Sequence, residues 1–278
     1  MTTLDIKKLS KNLGAEVLGV DTDRLLRDDD LADACMTALE KHSVLLFRQI
    51  NVDDRTQVEF CRKLGTLINF SRFPPYDAEE VMEISFDPSN PNAEYLASND
   101  FWHIDGLLDK IAPKASVMSA RVTANRGGET EFASTYAAYE ALSAEEKKLF
   151  ADLRVVHTFA AIQQLTYPDP TPTQLKEWSS RREVEHPLVW QHESGRHSLV
   201  FGATTSHVVG MDFDESRALL DDLEKRATTQ ELVYRHTWSE GDLVIWDNSG
   251  LVHRACEFDR SEPRRMHRST LVGHESIK

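Results

Sequence analysis

Asn99-Asp100-Phe101-Trp102-His103-Ile104-Asp105-Gly106 is the stretch on which the reading of this chain turns. In His103-Ile104-Asp105 one residue separates an imidazole from a carboxylate, and alternate residues of an extended segment point to the same face. The pair can therefore offer one nitrogen and one oxygen to a common point. A second histidine, His253, ends the downstream stretch Trp246-Asp247-Asn248-Ser249-Gly250-Leu251-Val252-His253. Two histidines and one carboxylate on one face of a metal leave positions open, an arrangement suited to non-haem Fe(II). With 11 His and 23 Asp among 278 residues, roughly one His-x-Asp is expected by chance, so its metal-ligand chemistry needs support from the rest of the chain.

The bulk properties narrow the classes. The length allows one large domain with a substantial core, and 40% hydrophobic with 28% charged residues describes an ordinary globular chain. A formal charge of −14 disfavours general attraction to nucleic acid or to anionic membranes. Cys35, Cys61 and Cys256 are odd in number and without paired spacing, which argues against a disulfide framework or a cysteine-rich zinc site. No apolar run approaches membrane-spanning length and the N-terminus lacks a signal-peptide core, so the expectation is a cytoplasmic protein with reduced thiols.

Outward from the motif, the stretch 66–100, rich in Pro, Asn and Asp and broken by a strand over 81–86, reads as long loops, and 160–185, with Tyr167-Pro168-Asp169-Pro170-Thr171-Pro172, reads as a second irregular stretch or lid. Strands are expected within 1–20, over 43–48, 115–122, 129–132, 231–238, 243–246 and 265–272, with Gly127-Gly128 as a turn. Helices are expected from Asp28 to about His42, over 54–64, from the Ser143-Ala144-Glu145-Glu146 capping box, and over 214–227. No repeat or composition shift divides the chain, so residues 1–278 read as a single domain.

Trp102-His103-x-Asp105, Gly127-Gly128-x-Thr130, Trp246-Asp247-Asn248 with the following His253, and Arg264-x-x-x-Arg268 occur together in this order. The set resembles the taurine dioxygenase and dichlorophenoxyacetate dioxygenase family of Fe(II)- and 2-oxoglutarate-dependent oxygenases, from about Leu13 to Gly273. Phe201-Gly202-Ala203, Ser206-His207-Val208 and Tyr234-Arg235-His236 are more similar to the dichlorophenoxyacetate enzyme than to the taurine enzyme. The resemblance implies a mainly β fold with helical insertions (α+β) around a double-stranded β-helix, or jelly-roll, core.

Carried over by position, His103, Asp105 and His253 correspond to the iron ligands. Thr130 and Arg264 correspond to the residues that hold the distal carboxylate of 2-oxoglutarate, for which a hydroxyl and a planar guanidinium are apt donors. Arg268 corresponds to an arginine that meets the substrate's anionic group, although a salt bridge to an acidic residue competes for it. Asn99 and Phe159 match pocket positions. Phe70 and Phe73 stand where the taurine enzyme carries His and Tyr, which argues against taurine, and Leu107 and Leu108 make the pocket more apolar than in the herbicide enzyme. Asp247 and Asn248 read as shaping the turn before His253.

The implied reaction couples oxidation of 2-oxoglutarate by O2, giving succinate and CO2, to hydroxylation of a small organic acid with a hydrophobic body near Phe70, Phe73, Leu107 and Phe159. Cleavage follows where the hydroxylated carbon bears a heteroatom. Sulfonate or sulfate-ester cleavage, desaturation, and isonitrile or ring formation remain open with the same cofactors, whereas Asp105 argues against a halogenase. A non-catalytic jelly-roll protein that keeps a metal site is the reading from another class, disfavoured by Thr130 and Arg264. No nucleic-acid or membrane partner is expected, and a homo-oligomer, dimer or tetramer, is what the family implies.

Overall fold

The strand Leu243–Asp247 sets the layering of the computed structural model, which describes residues 4–72, 79–91 and 93–278. Successive side chains of a strand point to opposite faces. Leu243 and Ile245 join Leu45, Phe47 and Val117 with Leu31, Cys35, Phe60 and Cys61 in one apolar cluster. Val244 and Trp246 join Met118, Met266, Phe132 and Leu251 in another. One face of the sheet is therefore covered by helices and the other by a second sheet, and each fully buried Leu or Phe contributes about 1.5–3 kcal/mol through apolar burial.

The main sheet has seven strands in the order Ile6–Lys8, Ala15–Val17, Val44–Phe47, Leu243–Asp247, Ala115–Val122, Arg265–Leu271 and Met82–Ser85. Its helical cover is Asp29–His42 and Asp54–Leu64. The acidic first turn of the former suits the helix dipole, and in the latter Asp53 accepts from the Thr56 amide at 2.7 Å. A separate short helix, Thr22–Arg27, capped by Asp21, precedes them and has no counterpart in the sequence reading. The facing sheet has Thr130–Ser134 between Val233–His236 and Leu251–Ala255. A third sheet, Thr205–Val208, Arg154–His157 and Val184–Pro187, and the hairpin Val189–Gln191 with His197–Leu199 extend the molecule beside the helix Phe213–Ala227. The result is a mixed, sheet-rich fold with helices.

The Ser143 capping box forms as expected, with the Ser143 hydroxyl and the Glu146 carboxylate each bonded to the other residue's backbone. The stretch 160–185 differs from the expected irregular loop, because it contains the helices Phe159–Thr166 and Pro172–Ser179. Thr171 and Gln174 make a second capping box with proline in the first turn, a helix start that the density of prolines obscured. All three cysteines are free thiols, and burial pushes Cys35 and Cys61 up to about 12. No helix among the described residues is long and apolar enough to cross a membrane.

Candidate active site

Backbone pairing joins the two halves of the motif. The His103 amide donates to the His253 carbonyl at 3.0 Å, and the His253 amide donates back to His103 at 2.9 Å. This is one isolated antiparallel bridge, not the full strand expected around His103. His253 itself lies in the strand Leu251–Ala255 of the smaller sheet. His103, Asp105 and His253 each offer a ligand atom, all within 4.8 Å of one another.

The imidazoles are prepared as neutral donors. His103 Nδ1 lies 2.8 Å from the Phe101 carbonyl, which fixes the proton on Nδ1 and leaves the Nε2 lone pair facing Asp105 Oδ1 at 4.0 Å. His253 Nε2 lies 3.9 Å from Asp105 Oδ2. Burial lowers the proton affinity of both rings, His253 strongly, as a metal ligand requires. Burial alone would raise the Asp105 carboxyl, but Arg268, the two imidazoles and the Ser116 hydroxyl outweigh it and hold the group well below the usual carboxylate range. Two neutral imidazoles and one ionised carboxylate fit a divalent metal that keeps open positions.

Ser116 as a site residue has no counterpart in the sequence reading, and Asn248, read there as shaping a turn, has a further partner. The Ser116 hydroxyl donates to Asp105 Oδ2 at 2.7 Å and accepts from the Asn248 side-chain amide at 3.1 Å. Arg268 Nη1 holds Oδ1 at 3.1 Å, so both carboxylate oxygens are oriented. Asn248 thus reaches the candidate metal ligands through Ser116, while Asp247 accepts from the Ser249 amide at 3.1 Å and from Tyr136 at 3.3 Å. Strand pairing carried the signal: Ser116 lies opposite Thr270, two residues from the Arg268–Met118 pair and on the same face.

Beside the metal trio a narrow pocket is lined by Asn99, Met118, Thr130, Trp246, Arg264 and Arg268, among others. Arg264 is only 6% exposed, donates to the Gly128 carbonyl at 3.1 Å, and has no carboxylate within ion-pair distance among the described residues. Burial lowers it to about 10. A buried, unpaired guanidinium is costly and calls for an anion. Gly128, at φ +71°, permits this approach, since a Cβ there would meet Arg264 Nε at 3.0 Å. Trp238, also missed, donates its indole N–H to Thr130 Oγ1 at 3.0 Å, which turns the threonine hydroxyl hydrogen outward as a donor. These residues fit the distal carboxylate of a dicarboxylate.

A larger cavity of about 270 Å³ opens on Asp105 and Arg268 and is lined by Tyr95, Leu96, Leu108, Phe159, Ile162 and Arg181, together with Asn99 and Thr204. Asn99, Phe159 and Arg268 thus lie on its wall. Leu107 does not: it is 1% exposed in the cluster with Trp102 and Ile104, and Leu108 takes the wall position. The reason is Gly106, at φ +76°, where the chain turns and extended alternation stops; a Cβ there would meet Pro113 Cδ at 2.3 Å. Phe70 is also displaced from the expected place, buried in the cluster that includes Met82 and Ile84 and absent from the cavity lining. Phe73 falls outside the described residues.

The chain matches the taurine catabolism dioxygenase TauD, TfdA family over residues 5–270. It is 34% identical to an alpha-ketoglutarate-dependent 2,4-dichlorophenoxyacetate dioxygenase of Cupriavidus pinatubonensis (strain JMP 134 / LMG 1197), over 84% of this chain and 86% of that enzyme. It is 32% identical to an alpha-ketoglutarate-dependent sulfate ester dioxygenase of Pseudomonas putida, over 99% of this chain and 91% of that enzyme. Its fold superposes on the crystal structure of AAD-2 in complex with Mn(II) and N-oxalylglycine with a TM-score of 0.82 and 30% identity, covering 99% of this chain and 100% of that one. The chain therefore belongs to the taurine catabolism dioxygenase TauD, TfdA family and is a 2-oxoglutarate-dependent dioxygenase, an oxidoreductase.

Proposed function

We propose that this enzyme hydroxylates a small organic anion with an apolar body, using Fe(II) held by His103, Asp105 and His253, and 2-oxoglutarate held by Thr130 and Arg264. The carrying observation is one trio of two buried, neutral imidazoles and a partly buried, ionised carboxylate, flanked by two pockets. The narrow one holds an unpaired arginine, and the wider one has an apolar wall. Bound metal and co-substrate supply the oxygen activation and C–H oxidation, a chemistry the side chains cannot perform alone.

The chain's own residues bind and orient. Ser116 and Arg268 fix the two oxygens of Asp105. Trp238 fixes the hydroxyl of Thr130. Phe159, Ile162 and Leu108 exclude water from the side where substrate lies. Two sheets packed face to face across Trp246, Phe132 and Leu251 support the double-stranded β-helix reading, and their shared clusters support one domain. Free thiols support a cytoplasmic location.

A second outcome has a specific footing. The relatives include enzymes named for 2,4-dichlorophenoxyacetate and for sulfate esters, compounds in which a carbon bearing hydrogen is bonded to an ether oxygen or to the sulfate's own oxygen. Hydroxylation of such a carbon leads to C–O cleavage. The test adds Fe(II) and 2-oxoglutarate anaerobically, reads the visible charge-transfer band, then admits O2 with a panel of organic acids and sulfate esters while measuring succinate against product mass. A mass gain of one oxygen indicates hydroxylation, whereas cleavage releases a phenol and an oxoacid from an aryloxy acid, or an aldehyde and inorganic sulfate from an alkyl sulfate ester. Neither band nor succinate with any acid would refute the proposal.

A further inference from the structure

On the reading that the wider cavity receives the primary substrate, we infer that Arg181 is the residue that anchors the substrate's anionic group. The cavity carries three charged residues, Arg181, Arg268 and Asp105, so its lining has an excess positive charge within a chain of net charge −14. Such a local reversal of sign concentrates anions at the site. The two arginines are not equivalent. Arg268 is already committed, with Nη1 at 3.1 Å from Asp105 Oδ1, and it also borders the narrow pocket beside Arg264. Its charge is balanced by the carboxylate it orients.

Arg181 has no such balance. Among the described residues its only carboxylate within ion-pair distance is Glu177, four residues earlier, at 3.7 Å and with both side chains about half exposed or more. Exposed pairs of this kind hold a side chain weakly. Two other contacts position it. Its backbone amide donates to the Trp178 carbonyl at 3.3 Å, at the end of the capped helix Pro172–Ser179. Its guanidinium carbon lies 3.8 Å from the centroid of Phe159, another cavity-wall residue. A guanidinium stacked on a ring keeps its donors along the edge, where they can meet a carboxylate or sulfate in a bidentate way. Phe159 then serves both the arginine and the apolar body of the ligand. The substrate class that fits is a monoanion, carboxylate or sulfate ester, attached to an aryl or alkyl group that rests against Phe159, Ile162 and Leu108.

The test uses Arg181→Gln and Arg181→Lys in the full chain loaded with Co(II) and 2-oxoglutarate, titrated calorimetrically. The probes are 2,4-dichlorophenoxyacetate, (S)-2-phenoxypropionate and hexyl sulfate, each beside its neutral alcohol or methyl ester. The expected result is that wild type prefers an anion to its neutral counterpart. Arg181→Gln then weakens that anion about 10- to 100-fold with little effect on the neutral probe, the magnitude of a lost charged hydrogen bond, and Arg181→Lys recovers part of it. Unchanged anion affinity in Arg181→Gln, equal losses for anion and neutral probe, or a wild type that prefers no anion each overturns the assignment. Binding of Co(II) and 2-oxoglutarate is read in the same titrations. Its failure in wild type strikes the metal and co-substrate assignment of the proposed function, whereas an intact co-substrate site with an insensitive Arg181 strikes this proposal alone.

Discussion

Removing the Ser116 hydroxyl should loosen the metal without touching a ligand. Ser116→Ala deletes the 2.7 Å donor to Asp105 Oδ2 and leaves the Asn248 amide, 3.1 Å from the lost oxygen, without that acceptor. Arg268 still holds Oδ1, so the carboxylate stays ionised but can pivot about that contact. A hydrogen bond to a charged group contributes about 1.5–3 kcal/mol, and loss of an outer partner of a ligand typically lowers metal affinity about 10- to 100-fold. The two ranges agree, since a tenfold change corresponds to about 1.4 kcal/mol. Anaerobic Fe(II) titration at saturating 2-oxoglutarate, followed by charge-transfer absorbance, measures the change. Because Ser116 is fully buried, thermal unfolding of both metal-free proteins must accompany it. At about 2–4 °C per kcal/mol for a chain of this size, a loss of about 1.5–3 kcal/mol lowers the midpoint by roughly 3–12 °C, and the comparison is made well below the lowered midpoint. A folded Ser116→Ala protein that binds Fe(II) within about twofold of wild type would refute the positioning role.

Three other outcomes are expected. Trp238→Phe, which keeps the ring but removes the donor to Thr130, should raise the KM for 2-oxoglutarate about 3- to 15-fold while leaving Fe(II) affinity unchanged; steady-state kinetics and Fe(II) titration separate the two. His103→Ala should abolish both the Fe(II)-dependent charge-transfer band and succinate formation, and retention of either contradicts the ligand assignment. Burial, reinforced by His186, lowers His157 from 6.5 to about 3. Between those values the unfolded chain takes up a proton that the folded protein does not, so stability falls as pH drops through that window, by up to about 1.4 kcal/mol per pH unit. Urea midpoints between about pH 7.5 and 5 should fall less steeply in His157→Gln than in wild type, and parallel slopes contradict the linkage.

How far the sequence carried depended on whether a residue's type or its three-dimensional neighbours define its role. That His103, Asp105 and His253 come together was legible because metal chemistry favours those side chains and because the ordered set of motifs resembles a family, and Arg264 was singled out through the same resemblance. The long strands and the helices Asp29–His42 and Asp54–Leu64 were legible through their apolar patterns. Ser116, Asn248 and Trp238 are common residues in common elements; their significance lies in hydrogen bonds spanning 11, 132 and 108 residues of sequence. The cavity wall failed for a sharper reason. Leu107 and Leu108 were both read as pocket residues, but Gly106 turns the backbone at φ +76°, and only Leu108 reaches the wall. Neighbours in sequence after such a glycine need not share a pocket. Proline produced the opposite error in 160–185. Read by density it suggested a loop, but by position Pro172 opens the helix that ends just before Arg181. The substrate half of the site therefore depends on where backbone direction changes, whereas the metal half depends on side-chain chemistry that survives those changes.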